Sequence, residues 1–570
     1  MMNFRIYPQV TKISIPNNLR LSSTDFSGAF YNMKNLKTIE LPDTITNILQ
    51  ICYNCNSLTT AFCGNNVGNV RSAYTNCRNL TEAVCGDNVT EMILTYANCY
   101  NITTAVCGNN VYKMEDTYPN CYNLRTAVCG ENVKYMNYTY AYCSNLTTAV
   151  CGDNVTHMGS TYQNCTNLTI AVCGDNVVSM NNTYRYCKNL KVAACGNAMT
   201  NIANFYNNVY YNCTNLTTAA CGENVTDMSN AYPSCRYLTT AVCGNNVTNM
   251  SYAYQNCLSL NTAVCGEKVI NMDGTYLNCS NLTTAVCGEN VISMNYTYEN
   301  CRNLQTATCG NNVKYMDETY NNCQNLTTAV CGENVTNMDH TYWNCINLTT
   351  AACGDNVVNM YYAYQNCYNL TEAVCGNNVK EMAGSYMNCE NLTTAVCGEN
   401  VVNMHYAYHN CTNLTTAVCG EKVNNISNTY INCYNLTTAV CGNNVTNMSR
   451  AYWNCYNLTT AVFGKNVTDV GGAYSRCSNI QGNTYFYSNN ISNLRECFFS
   501  RSLSNRLNIY AHIGSNTLTK LINTSVYSIL GVATTWTNDT ATNGYYYNTS
   551  YNIYIYPVAN VEEARIANGD

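Results

Sequence analysis

The 570-residue chain carries only 11% charged residues, a formal net charge of −6 and no run of Lys or Arg, whereas a duplex-binding surface needs a dense basic footprint, so nucleic acid is excluded as a partner. Apolar residues make up 46% of the chain, ample for a core. No stretch approaches the roughly 20 apolar residues of a membrane span, which excludes membrane insertion by a helix.

The N-terminus reads MMNFRIYPQVTKISIPNN. It lacks a basic segment followed by an apolar run and is not a recognisable secretory signal. The expectation is a cytosolic or virion-associated chain rather than a classically secreted one, with the cell surface as the alternative. Residues 1–50 hold two loosely similar segments: Ile13, Ile15, Pro16 and Leu19, then Leu36, Ile39, Leu41, Pro42, Ile45 and Ile48. From Cys55 to Cys187 a cysteine recurs every 22 residues; after one step of 26 the series resumes at Cys213 and runs to Cys477, making 20 units. Such self-similarity is the signature of a stacked repeat. Counted from the leading cysteine, the unit is C-x-N-L-T-T-A-V-C-G-x-N-V-x-x-M-x-x-x-Y-x-N, as in Cys323 to Asn344.

Apolar residues fall at positions 1, 4, 7, 9, 13, 16 and 20. Positions 4, 7 and 9 (Leu326, Ala329, Cys331) predict a short strand with these side chains inward. Gly332 breaks the strand, a place suited to a residue tolerant of unusual dihedrals. Val335, Met338 and Tyr342 are spaced by three and four, as on one face of a turn, a 3₁₀ turn or a short helical arm. Each unit is then one coil that buries its apolar side only by stacking on its neighbours. The 26-residue unit places its four extra residues around Ala203–Asn208, as a bulge on the return arm. Phe463 and Val470 replace Cys and Met in the unit beginning at Cys455, where the array starts to degenerate. Beyond about residue 481 the chain is rich in Tyr, Asn and Thr. There Leu507, Ile509 and Ala511, and then Ile553 and Ile555, alternate like strands. Residues 1–50 and 481–570 are expected to cap the solenoid of residues 51–480.

This pattern resembles the BspA-like leucine-rich repeat, roughly C-x-x-L-x-x-I-x-I-P-x-x-V-x-x-I-x-x-x-A-F, over residues 10–510. Positions 4, 7, 9, 10, 13, 16 and 20 coincide. The departures are Ala and Cys for bulky aliphatics, Gly for Pro, Met for Ile and Tyr for Phe. The resemblance implies a leucine-rich-repeat solenoid of one short strand and a return arm per coil. It also implies surface adhesion and binding to a host or partner.

Equivalent cysteines of stacked coils would lie about 4.8 Å apart, within the reach of a disulfide, so ladder disulfides are one reading. The preferred one is buried, reduced thiols, because small apolar side chains suit such columns and Phe463 shows that the slot accepts one. The C-x7-C-x13-C spacing lacks the paired C-x2-C knuckles of zinc sites. Cys52 and Cys55 form a lone CxxC. His157, His340, His405, His409 and His512 read as solvated surface residues. The carboxylates cluster at position 11 (Asp153, Glu333, Asp355, Glu399) and exchange there with Asn, which does not suit a tuned acid–base pair. No catalytic, cofactor or metal site is expected.

Two surfaces are candidates. Thr327, Thr328 and Val330, repeated as Thr393, Thr394 and Val396, face outward as a neutral ribbon. Either β-branched residues simply suit a strand face, or the ribbon recognises protein, glycan or ice. The C-terminal Tyr545, Tyr546, Tyr547, Tyr551, Tyr554 and Tyr556 offer non-repetitive aromatic anchors; they either contact a partner or attach the array, or merely seal the last coil. Asn at positions 3, 12 and 22 is expected to form side-chain ladders. The functional reading is a non-enzymatic recognition or adhesion solenoid, as a phage tail or head fibre or as a microbial or protist adhesin. A structural spacer is the third class. Partners are a protein or glycan surface, with self-association or virion proteins left open.

Overall fold

A computed structural model describes residues 7, 9–194, 196–202, 209–220, 222–351, 353–500, 504–523, 525 and 528–570. The chain divides into two compact units, Met1–Leu282 and Thr283–Asp570. In the first, β1 (Lys12–Ser14) pairs in parallel with β2 (Thr38–Glu40). Seven further strands, β3 (Glu82–Ala83) through β9 (Thr218–Ala220), form one parallel sheet in which equivalent residues of successive coils pair, as Thr126 with Thr148. The second unit holds β10 (Thr306–Ala307) and β11 (Thr328–Ala329), continued by single bridges such as Thr394 to Thr416.

Within each coil the expected inward residues make the core. Cys323, Leu326, Val335, Met338 and Tyr342 are wholly buried. Position-20 tyrosines stack face to face from Tyr74 to Tyr276 in the first unit, with ring centroids 4.9–5.7 Å apart. In the second unit the stack runs from Tyr298 to Tyr474 at 5.2–5.6 Å. The four-residue insertion leaves the core register intact: Tyr184 stacks on Tyr210 at 5.4 Å, and Cys213 donates to the Tyr184 carbonyl as its counterparts do in regular coils. The bulge expected at 203–208 lies outside the described residues.

The return arm is a chain of turns carrying a parallel bridge ladder at position 15, from Asn69 to Glu91 to Lys113 and onward. Among the described residues it contains no helical turn. The reason is local: positions 18 and 22 adopt left-handed backbone in coil after coil, as at Leu94 (φ 55°), Tyr138 (φ 56°) and Glu318 (φ 53°), and at Asn98 (φ 61°) and Asn322 (φ 61°). Two such residues per arm cannot lie on a right-handed helix. Asn tolerates this conformation at position 22, and its side chains also form a ladder there, as Asn388 to Asn366 at 2.7 Å. A second ladder runs at position 3, and position-12 amides donate to the preceding coil's backbone, as Asn334 to the Asn311 carbonyl at 2.8 Å.

Gly332 serves a different purpose from the one its sequence context suggests. Its backbone is not left-handed; a Cβ there would meet the Gly310 carbonyl oxygen at 2.5 Å, so glycine is required by close stacking of coils. The two cysteine columns also differ. Position-1 thiols are wholly buried and donate to a tyrosine carbonyl of the neighbouring layer, as Cys323 to Tyr298 at 3.1 Å. Position-9 thiols such as Cys331 and Cys397 are only half-buried at the coil rim, contrary to the expected dry column, because position 9 lies where the chain leaves the strand. No disulfide joins the described cysteines. A bulky thiol reagent should therefore label the half-buried position-9 cysteines in the native protein, but not the buried Cys107, Cys151 and Cys173, and leave position 1 untouched until denaturation. Peptide mapping that found both columns labelled alike would refute this division.

Identical T-T-A-V segments take two states. Where the position-20 hydroxyl donates to the position-8 carbonyl and accepts from its N–H, as Tyr254 does at Val242 (2.5 and 3.1 Å), the strand shrinks to one bridge. The hydroxyl of Tyr118 has no hydrogen-bond partner among the described residues, and its T-T-A-V coil keeps the three-residue strand Thr104–Val106. The tyrosine thus competes with the adjacent coil for the same backbone groups.

The second unit closes on a five-stranded sheet of order β12 (Gly482–Phe486), β13 (Leu507–His512), β16 (Ile553–Val558), β15 (Tyr545–Asn548) and β14 (Thr537–Asp539). The first three are parallel and the last two antiparallel. The strand β12 stacks on the last coil through Gln481 N–H to the Thr459 carbonyl at 2.9 Å. Phe463 lies 4.2 Å from Phe486 and edge-on to Tyr474, so the aromatic that replaces cysteine plugs the end of the core. Helix α1 (Asn516–Leu521) packs on β13, and α2 (Val561–Ala567) on β12 and β13.

Candidate functional site

Alternation along β13 and β16 buries Leu507, Ile509, Ala511, Ile553 and Ile555 on one face. The opposite face is aromatic. Strand register sets Tyr485, Tyr510 and Tyr556 side by side, stacked at 5.0 and 4.9 Å. Antiparallel pairing brings Tyr547 opposite Tyr554 and places Tyr545 edge-on to Tyr554 and Tyr556 at 5.3 Å each. The Arg506 guanidinium lies 3.9 Å over the Tyr554 ring and donates to the Tyr556 hydroxyl at 2.8 Å. Of the six tyrosines singled out, Tyr545, Tyr547, Tyr554 and Tyr556 form one half-exposed cluster. Tyr546 pairs with Ile555 and so belongs to the other face, and Tyr551 sits in the turn before β16. Beside the cluster the C-terminus folds back: Tyr485 donates to the Asp570 carboxylate at 2.5 Å, and Asn568 donates to the Tyr485 hydroxyl at 2.9 Å. Hydrogen bonds from Tyr485 and Asn483 hold Asp570 below its usual range, and burial and the carboxylate push Tyr485 up.

In the strand ribbon Thr327, Thr328, Val330, Thr393 and Thr394 are exposed and Val396 is half-buried. Its chemistry is partly used internally. Thr327 and Thr393 donate to the carbonyls of Gln305 and Thr371, one coil back, at 3.4 Å each.

A third cluster escaped the sequence reading. His340, Trp343, Tyr361 and Tyr362 meet on the return arms of adjacent coils, with centroids 4.3–5.6 Å apart, and Tyr406 lies between His405 and His409. These histidines are half-buried among rings, not solvated. His405 Nδ1 lies 2.6 Å from the Ser427 hydroxyl, and burial lowers the pKa of His409. The available signal was aromatic residues at positions 17, 18 and 21 of consecutive coils, which only stacking brings together. Cys52 and Cys55 are wholly buried, and burial raises Cys52. No helix among the described residues is long and apolar enough to cross a membrane. No group of three or more His, Cys, Asp or Glu among them is placed to hold a metal ion. Nothing in this arrangement points to catalysis.

The chain is similar in structure to a leucine-rich repeat protein from Bacteroides ovatus: 14% identity, 71% of this chain and 82% of that one covered, TM-score 0.38. A leucine rich cell surface protein from Faecalibacterium prausnitzii matches at 15% identity over 60% of this chain and 87% of its own, TM-score 0.28. A leucine-rich repeat protein from Eubacterium ventriosum gives 15% identity, 60% and 80% coverage, and TM-score 0.28. No curated protein matches the sequence. The family profile described as BspA type leucine rich repeat region (6 copies) matches seven overlapping segments, from residues 3–125 to 383–508. Its matches span most of the chain and coincide with the stacked coils, and the protein belongs to the BspA-type leucine-rich-repeat family.

Proposed function

We propose that this protein is a non-catalytic recognition protein that grips a protein or glycan surface with its C-terminal tyrosine cluster. One observation carries the reading: four tyrosines and Arg506 converge on the half-exposed face of the terminal sheet, a concentration of the residue types that dominate binding energy. The tyrosines are anchored by strand pairing, so little side-chain freedom remains to be lost on binding. The finer form of the proposal places the protein on a virion, such as a phage tail or head fibre, meeting a host receptor. A microbial or protist cell-surface adhesin is its alternative. A spacer or ice-binding ribbon has less support, because the position-5 hydroxyls are directed to backbone carbonyls.

Deleting residues 540–570 would remove β15 and β16, and β16 is an interior strand of the sheet, so side-chain replacement is the cleaner test. Tyr545→Ala with Tyr547→Ala should leave the unfolding midpoint nearly unchanged. Binding to host cells or particles, read by flow cytometry of labelled protein, should fall by about tenfold or more, the scale of a lost hot spot. Unchanged binding would discard the cluster as the site. Immunolabelling of purified virions and of intact cells separates the two placements.

A further inference from the structure

In nine coils among the described residues, from Cys129–Met136 to Cys441–Met448, the position-9 thiol lies 3.5–3.9 Å from the position-16 thioether sulfur of the same coil. The methionines are wholly buried, whereas most of the paired thiols reach the rim. An open cleft of about 530 Å³ is lined by Cys243 and Cys265, the position-9 thiols of adjacent coils, together with Gly266, Glu267 and Lys268. Met272 sits 3.5 Å behind Cys265. We infer that this column of thiol–thioether pairs binds soft monovalent metal ions, Cu(I) or Ag(I), one per pair, with entry at rims such as the Cys243–Cys265 cleft.

Three physical points support the choice of ion. Thiolate and thioether are the soft ligands that select Cu(I) over harder cations. A trigonal all-sulfur site with metal–sulfur bonds of about 2.3 Å needs sulfur separations of about 4 Å, close to those within each pair, and Cys243 lines the same cleft as Cys265 of the Cys265–Met272 pair. Charge then decides between valences. The paired methionines are wholly buried, so the pocket disfavours a net charge. When a monovalent ion replaces the thiol proton, one proton leaves to solvent and the site stays neutral. A divalent ion on one thiolate would leave an uncompensated positive charge. The thiolate is helped by the next coil's glycine N–H, which donates to sulfur as Gly130 does to Cys107 at 2.9 Å.

The test is an anaerobic titration of the full, reduced chain with Cu(I) against a competing Cu(I) chelator. Sulfur-to-copper charge-transfer absorption and native mass spectrometry are the readouts. Several ions per chain should be retained, up to one per pair, in an all-sulfur environment by X-ray absorption, with Zn(II) not retained under the same competition. Replacing the nine paired methionines by leucine, which conserves volume, should lower retention at least tenfold. Should that variant lose its fold by circular dichroism, Met272→Leu with Met294→Leu must lower the stoichiometry by two. No uptake against the chelator, or uptake indifferent to these methionines, overturns the inference.

Discussion

Raising the pH should unfold this protein cooperatively, starting in a range where ordinary proteins with few buried phenols and thiols are still stable. Burial raises the position-20 tyrosines, including Tyr74, Tyr320, Tyr408 and Tyr474, well above their ordinary value, and does the same to position-1 thiols such as Cys121, Cys323 and Cys411. In the unfolded chain these groups titrate at about 8.5 for Cys and about 10 for Tyr. The folded values are raised, so stability is fully present below the unfolded values. It is lost as pH climbs above them, because the unfolded state then binds fewer protons than the native state. Each buried group contributes a slope of about 1.4 kcal/mol per pH unit beyond its unfolded value, and the columns multiply that slope along the array. Tyrosinate absorbance should appear in one step together with loss of circular dichroism. A smooth titration near pH 10 with the fold retained would show that the tyrosines are solvated and the stacked core is wrong.

Much of this core was legible because the repeat supplies many copies of one experiment. The 22-residue spacing defines the coil, and the recurrence of apolar residues at positions 4, 7, 13, 16 and 20 marks them as inward. What could not be read depends on contacts between coils. Gly332 looks like a strand breaker from its own coil, yet the atom that demands glycine is the Gly310 carbonyl, one coil back. The spacing of Val335, Met338 and Tyr342 fits a helical face, but left-handed backbone at position 18 forbids one. Residues such as Leu94 and Glu318 carry no intrinsic signal for that conformation. The same T-T-A-V segment also builds either a three-residue strand or a single bridge, depending on where the tyrosine hydroxyl points.

The candidate site shows the same division. Strand alternation around Ile553 and Ile555 told which tyrosines share a face, so Tyr554 and Tyr556 were predictable neighbours. That Tyr545 and Tyr547 join them while Tyr546 does not follows from the antiparallel register of β15, which the sequence leaves open by one residue. Arg506, 50 residues from Tyr556, carried no local signal. The sulfur pairs were invisible for another reason: a search for metal ligands by Cys and His spacing does not count a methionine seven residues on.

Replacing Tyr408 should separate what stacking contributes from what its hydroxyl contributes. The ring is wholly buried between Tyr386 and Tyr430, at 5.4 and 5.6 Å and nearly parallel to both. Its hydroxyl donates to the Val396 carbonyl and accepts from the Val396 N–H at 3.1 Å, tying the strand end to the return arm across the coil. Tyr408→Ala removes the ring and opens a cavity that the rigid coils above and below cannot collapse, at a cost of about 3–5 kcal/mol. Tyr408→Phe keeps the stack and gives up only the hydroxyl. Val396 is half-exposed, so water can replace the lost partner, and the cost should be about 1 kcal/mol. Because stability in a repeat array is a sum of coil and nearest-neighbour terms, the damage should be local. Hydrogen exchange in the alanine variant should accelerate first in the coils spanning Cys367 to Asn432, before the array melts in denaturant. If the phenylalanine variant were as weak as the alanine one, the hydroxyl bridge and not the aromatic stack would be holding the coil closed.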